Sequence, residues 1–298
     1  MANCESLSGG MLVSRLRPMR YFPVLIALLL AGCDAGQVSS VAHSPAVKQL
    51  AQLGQSMLSS TDSVGSTDKP AASVVASNLV NGKSAVGHRD FANAKKVLPR
   101  IFTGMEEDFY CGCKYTGKDV NFSSCGYQPR KNVARASRIE WEHVVPAWVL
   151  GHQRQCWQNG GRKNCTSTDP VFQMAEGDLN NLVPAVGEVN GDRGNLAYGA
   201  WTRNPEPMYG QCRTIVDFKN RRVQPREEVR GRAARITLYM HDRYQLRMSS
   251  QDRKLMCAWA KQYPVDDWEL RRNERIVKLQ GEGNPLVTDP AKLAAVCG

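Results

Sequence analysis

Phe91, Ala94, Val97, Leu98 and Ile101 recur at helical spacing and predict an amphipathic helix. Residues 110–138 follow no such period. They are rich in Cys, Gly and polar side chains, which predicts irregular backbone with short strands at most. Residues 139–145, Ile-Glu-Trp-Glu-His-Val-Val, are β-prone and closed by Pro146, so a strand is expected there. Asp169-Pro170 has the form of an N-cap followed by proline in the first helical turn, the opening of a short helix. Beyond Pro225 the period is helical: Val229, Ala233, Ile236 and Met240 share one face, followed by Leu255 with Trp259, then Ile276 with Leu279 ahead of Gly281. The expected body is α+β, with a largely helical C-terminal third.

The first third of the chain reads differently. Residues 37–90 hold eleven serines and no Phe, Tyr, Trp or Cys, too little apolar surface to offset the entropy of ordering them. Residues 34–90 therefore read as a Ser/Ala-rich tether. Residues 21–31 form a short apolar run behind Arg15, Arg17 and Arg20, the shape of a signal-peptide core rather than a membrane span. The run ends in Leu30-Ala31-Gly32-Cys33, which looks like a bacterial lipobox. One reading makes Cys33 the lipidated mature N-terminus of a membrane-tethered periplasmic lipoprotein; the other makes residues 1–33 an ordinary signal on a secreted protein. On either reading the protein is exported, and residues 91–298 form the folded domain.

Composition narrows the class. The chain has 298 residues, 42% of them hydrophobic, which excludes a multi-span membrane protein and a wholly disordered one. Its formal charge is +11, and removing the three arginines and one glutamate of the first 33 residues leaves +9. A basic exported body favours a polyanionic partner such as nucleic acid or a membrane surface. Eight cysteines follow the signal: Cys111, Cys113, Cys125, Cys156, Cys165, Cys212, Cys257 and Cys297. An even count in an exported chain reads as up to four disulfides, with Cys156–Cys165 the first closure expected. Zinc held by thiolates is the rival reading, against which stand the lack of a CxxC pair and of a suitably spaced histidine.

Of the five histidines, His43 and His88 fall in or beside the tether, His241 in a helical run, and His152 in a polar stretch where it is a candidate phosphate contact. His143 follows Glu142 at the end of the strand-like run. Phosphodiester hydrolysis needs a base for water, a cation for charge at phosphorus, and often an arginine on the phosphate. A neutral imidazole suits the first role, and a hard cation takes oxygen ligands such as Glu142. Neighbours in a regular strand face opposite ways, so both could address one phosphate only where the strand ends or bulges.

Three stretches together carry a resemblance: Trp-Glu-His143-Val-Val-Pro-Ala; Gly-His-Gln-Arg-Gln-Cys156-Trp-Gln-Asn-Gly-Gly-Arg162-Lys-Asn-Cys; and Asp-Leu-Asn-Asn181-Leu with Gly-Glu-Val-Asn190-Gly-Asp-Arg-Gly-Asn. The chain resembles the bacterial endonuclease I family over residues 91–285. The resemblance implies a ββα-metal finger and a non-specific, Mg²⁺-dependent endonuclease, monomeric, acting on DNA and RNA through their phosphate backbones and leaving 5′-phosphate ends. It implies His143 as general base and Glu142 with Asn190 as protein ligands of one Mg²⁺, with Mn²⁺ or Ca²⁺ as alternative occupants. Arg162 would hold the scissile phosphate, and Asn181 would pin the loop that carries the histidine. Asn180 departs from the family, many members having histidine there. Lys163, tied to the site by its motif, is expected to bind backbone phosphate. The other basic clusters, Arg230, Arg232 and Arg235 among them, serve either phosphate binding or solubility. Trp141, Trp148 and Trp157 are expected in the core rather than against bases. A tethered lipoprotein that binds nucleic acid without cutting it is the alternative, and it leaves Glu142, His143 and Asn190 without a joint purpose.

Overall fold

A computed structural model of the protein describes residues 89–201 and 205–298. Cys33, the signal segment and residues 34–88 of the tether lie outside the described residues. The first helix, α1 (Phe91–Phe102), starts where Asp90 accepts the N–H of Asn93 at 2.7 Å, and it buries Ala94, Leu98, Ile101 and Phe102. The irregular region follows, with the two-residue strands β1 (Tyr115–Thr116) and β2 (Asp119–Val120) and the single turn α2 (Val133–Ala136). Asp108, fully buried, organises it by accepting the N–H groups of Tyr110, Cys111 and Cys113.

Strand β3 (Ile139–His143) pairs antiparallel with β4 (Leu182–Val186), His143 opposite Leu182 and Ile139 opposite Val186. The connection between them is itself structured, as α3 (Ala147–Gly151), α4 (Gln155–Gln158), α5 (Gly161–Thr168) and α6 (Pro170–Gly177). Asp169 and Pro170 open α6 in the predicted way, Asp169 Oδ1 accepting the N–H of Phe172 at 2.9 Å. Helix α7 (Gly187–Arg193) leaves β4 directly. A second small sheet, β5 (Ala197–Tyr198), β6 (Ile215–Asp217) and β7 (Arg222–Gln224), has β7 at its centre. The rest is helical: α8 (Arg230–Arg243), α9 (Ser250–Gln262), α10 (Asp267–Gln280), α11 (Pro285–Thr288) and α12 (Pro290–Cys297). The expected α+β body with a helical C-terminal third is what the structure shows.

All eight body cysteines are paired, as Cys111–Cys212, Cys113–Cys125, Cys156–Cys165 and Cys257–Cys297. No thiolate among them is left to hold zinc. The Cys111–Cys212 bridge spans 101 residues of sequence, and in the chain-entropy picture closing a loop of that size removes about 4–5 kcal/mol of unfolded-state freedom.

The basic cluster on α8 serves neither of the purposes expected of it. Arg235 is 1% exposed and ion-paired to Glu269, and it also donates to the carbonyls of Ala260 and Tyr263. Arg232 pairs with Asp266, and Arg230 donates to Pro225 O and Tyr263 Oη. These guanidiniums fasten α8 to α9, α10 and the segments between them. A buried cation without such partners would be costly, which is why Arg235 has so many.

Candidate active site

Strand β3 ends at His143 because the chain turns there, held by two groups. Asn181 O accepts the N–H of Val144 at 3.0 Å, and the Arg193 guanidinium donates to the carbonyls of His143 and Val144 at 2.7 and 2.5 Å. Asn181, fully buried, also makes a reciprocal pair with the next residue: its Oδ1 accepts from Val145 N at 2.7 Å and its Nδ2 donates to Val145 O at 2.9 Å. The strand end lets Glu142 and His143 line one cavity of about 480 Å³, together with Glu140, Arg162 and Asn190.

His143 is 7% exposed, and its Nε2 lies 2.8 Å from the backbone carbonyl of Glu176. A carbonyl only accepts, so Nε2 carries the proton and Nδ1 keeps its lone pair. Burial drives the ring's pKa down to about 3, with the charges of Arg162, Arg193 and Lys95 pushing the same way and the Glu176 carbonyl opposing them. The imidazole is neutral at pH 7.

Glu142 is buried, its Oε1 accepting from Tyr110 Oη and from Arg193 Nη1, each at 2.8 Å. Burial pushes this carboxyl's pKa up, while the Arg193 charge and the Tyr110 hydroxyl pull it down. Asn190 donates Nδ2 to Glu140 Oε2 at 3.0 Å, which fixes the amide so that Oδ1 is its remaining donor of electrons. Arg135 in turn holds Glu140 through Nε and Nη2, and passes so close to Gly191 that a Cβ there would sit 2.1 Å from its Nη1.

Helix α7 divides its work by face. Glu188 and Asp192, one turn apart, are anchored by Tyr127 and Arg130; Asn190 and Arg193 turn to the cavity and to the end of β3. Arg162 sits at the start of α5, 48% exposed, with Nε bonded to Glu176 Oε1 at 2.5 Å. Neither of its Nη groups is hydrogen-bonded among the described residues. Lys163 does not line this cavity. It is exposed in the adjoining depression with Lys95, Thr166 and Gln173, which Arg162 borders as well.

Glu140, Glu176 and Arg193 were not singled out from the sequence. Glu140 had a signal, since it stands two residues before Glu142 and so on the same face of the strand. Arg193 lies one helical turn after Asn190 within the quoted motif. Glu176 contributes a backbone carbonyl, which leaves no mark in sequence. Trp141 stacks on Phe102 and Trp157 packs against Phe172 as expected, whereas Trp148 is 43% exposed, lines the cavity, and lies flat on His152. His152 donates Nδ1–H to Trp148 O at 2.8 Å and is a neighbour of the indole rather than part of the cavity that His143 lines. Asn180 is wholly buried and donates to Asp178 and Tyr239, a packing role.

A strand ending in histidine, its antiparallel partner and the helix that follows form a ββα finger, the architecture of metal-dependent nucleases. The model of the family Endonuclease I matches residues 89–291. An extracellular deoxyribonuclease of Aeromonas hydrophila is 53% identical over 213 residues, covering 68% of this chain and 92% of the relative. A periplasmic deoxyribonuclease of the same organism is 52% identical, covering 66% and 84%. Endonuclease-1 of Buchnera aphidicola is 44% identical, covering 67% and 83%. The chain belongs to the endonuclease I family and is an endonuclease.

Proposed function

We propose that the protein is an exported, Mg²⁺-dependent nuclease that hydrolyses the backbone of DNA, and of RNA, without sequence preference and leaves 5′-phosphate ends. The observation that carries this reading is the buried, neutral His143 with Nδ1 unprotonated, in one cavity with carboxylate and carboxamide oxygens and a half-free arginine fork. The names of the Aeromonas relatives support DNA as substrate and export as destination, and four disulfides suit an oxidising compartment.

The donor set fits a hard cation. Glu142 and the Oδ1 of Asn190 would hold one Mg²⁺, which prefers few protein ligands and keeps the rest for water and phosphate. When bound, the ion would neutralise charge at phosphorus and at the leaving oxygen. His143 Nδ1 takes a proton from water, whose oxygen bonds to phosphorus as the bond to O3′ breaks; the 5′-phosphate stays on one fragment and the 3′-oxygen is protonated from solvent. An approaching phosphodiester also offsets the Arg162 and Lys95 charges that depress the imidazole's affinity for that proton. Arg162 bonds a non-bridging oxygen, and Glu176 holds the guanidinium ready. Asn181 keeps the turn after His143 in place, and Lys163 contacts phosphate outside the cavity. The protein works as a monomer, tethered to a membrane through lipidated Cys33.

Nicking of supercoiled plasmid with Mg²⁺, and its arrest by EDTA, tests the reading. Retention of DNA without nicking at any Mg²⁺ concentration would replace it with a binding protein.

A further inference from the structure

A second pocket of about 290 Å³ adjoins the catalytic cavity, at the small end of the range for small-molecule sites. The two share Pro146, Trp148 and Asn195. Its walls are largely apolar, with Val145, Leu196, Met248 and Met256 among them. Two of its lining residues carry buried polar atoms with no partner among the described residues, Arg193 Nε and Thr237 Oγ1. Both side chains are more than nine-tenths buried, and the other Arg193 nitrogens are already engaged. Both atoms are closed off from solvent, so they lie behind the wall of the pocket and its surface toward Trp148 stays apolar.

Trp148 stands between the two spaces. Its ring lies 3.8 Å from the His152 ring at an interplanar angle of 3°, and the bond from His152 Nδ1 to Trp148 O holds the imidazole there. An indole braced in this way loses little freedom when a flat group stacks on it.

We propose that Trp148 and the pocket beside it accept one unstacked nucleobase from the nucleotide next to the scissile phosphate. This rests on the nuclease reading of the adjoining cavity. A base has apolar faces for the indole and the methionines. Such a site takes any base, because stacking is tolerant of sequence. It favours strands whose bases leave the stack cheaply, so single-stranded or frayed DNA is preferred over stiff duplex.

The experiment compares a single-stranded oligonucleotide with one of equal length built from abasic tetrahydrofuran units, in Mg²⁺. The parent should show a lower KM for the base-bearing strand. Trp148→Ala should raise KM on that strand by roughly 5- to 150-fold, the range a lost base stack gives. On the abasic strand the same variant should raise KM by a much smaller factor, and Trp148→Phe should recover most of the loss on the base-bearing strand. Equal effects of Trp148→Ala on both strands, or no effect on either, would overturn the base pocket while leaving the nuclease intact. A parent that nicks plasmid but cleaves neither single strand would likewise overturn the base pocket, whereas one that does neither would remove the nuclease reading, and the pocket's role with it.

Discussion

The imidazole of His143 and the backbone carbonyl of Glu176 are joined by a 2.8 Å hydrogen bond that places the ring proton on Nε2 and leaves Nδ1 with its lone pair. Because the partner is main chain, no side-chain substitution at residue 176 removes it. The carboxylate of Glu176 has separate work, holding Arg162 and accepting from Thr166 Oγ1 at 3.2 Å.

His143→Ala should lower kcat by ~10²–10⁴-fold, the usual cost of losing a general base, with DNA affinity largely kept. Steady-state kinetics beside binding of an uncut oligonucleotide measures both. Near-parental turnover that still required Mg²⁺ would take the base role away from His143.

Glu142→Ala and Asn190→Ala should each raise the Mg²⁺ concentration for half-maximal activity. Glu140→Gln should do so more weakly, since Glu140 orients Asn190 through one 3.0 Å bond. Parental Mg²⁺ titrations in both alanine variants would show that the ion sits elsewhere.

Glu176→Gln separates the residue's two duties. The carbonyl stays on His143, but Arg162 loses its charged partner, and misplacing one phosphate contact should cost on the order of 10- to 100-fold in rate. Arg162→Ala should match or exceed that loss. A Glu176→Gln enzyme as fast as the parent would mean that Arg162 needs no tether.

His241 is buried in α8 with Nδ1 donating to Leu246 O at 3.1 Å, and burial holds its pKa below the ordinary 6.5. As pH falls below 6.5 the unfolded chain binds a proton that the folded state refuses, so this residue's effect is a loss of stability toward acid. His241→Gln removes the titration. Thermal unfolding from pH ~7.5 to ~5 should show the variant losing less than the parent, whereas parallel curves would clear His241 of any part.

Much of the finger was legible from local signals. The strand before Pro146, the Asp169-Pro170 cap and the short Cys156–Cys165 loop all depend on residues close in sequence, where propensity and spacing carry information. What stayed hidden depends on distant partners. The run of asparagines in residues 180–195 reads as loop, yet pairing with β3 makes residues 182–186 a strand, and Glu188 and Asp192 fix the helix after it. Arg235 looks like surface charge until Glu269, 34 residues on, takes it into the interior. Trp148 looks like core until its neighbours prove too few to cover it.

The Cys111–Cys212 bridge fixes the neighbourhood of Tyr110, whose hydroxyl touches Glu142 and whose carbonyl receives Thr214 Oγ1 at 2.6 Å. Oxidation thus reaches the cavity through Tyr110, as it also does through the Cys156–Cys165 bridge beside Trp157 and Arg162. A chain kept in a reducing compartment lacks these braces, so activity is expected to depend on oxidation. Cys111→Ser/Cys212→Ser protein should nick plasmid far more slowly than the parent at 37 °C. Equal rates would mean that the cavity keeps its geometry without this bridge.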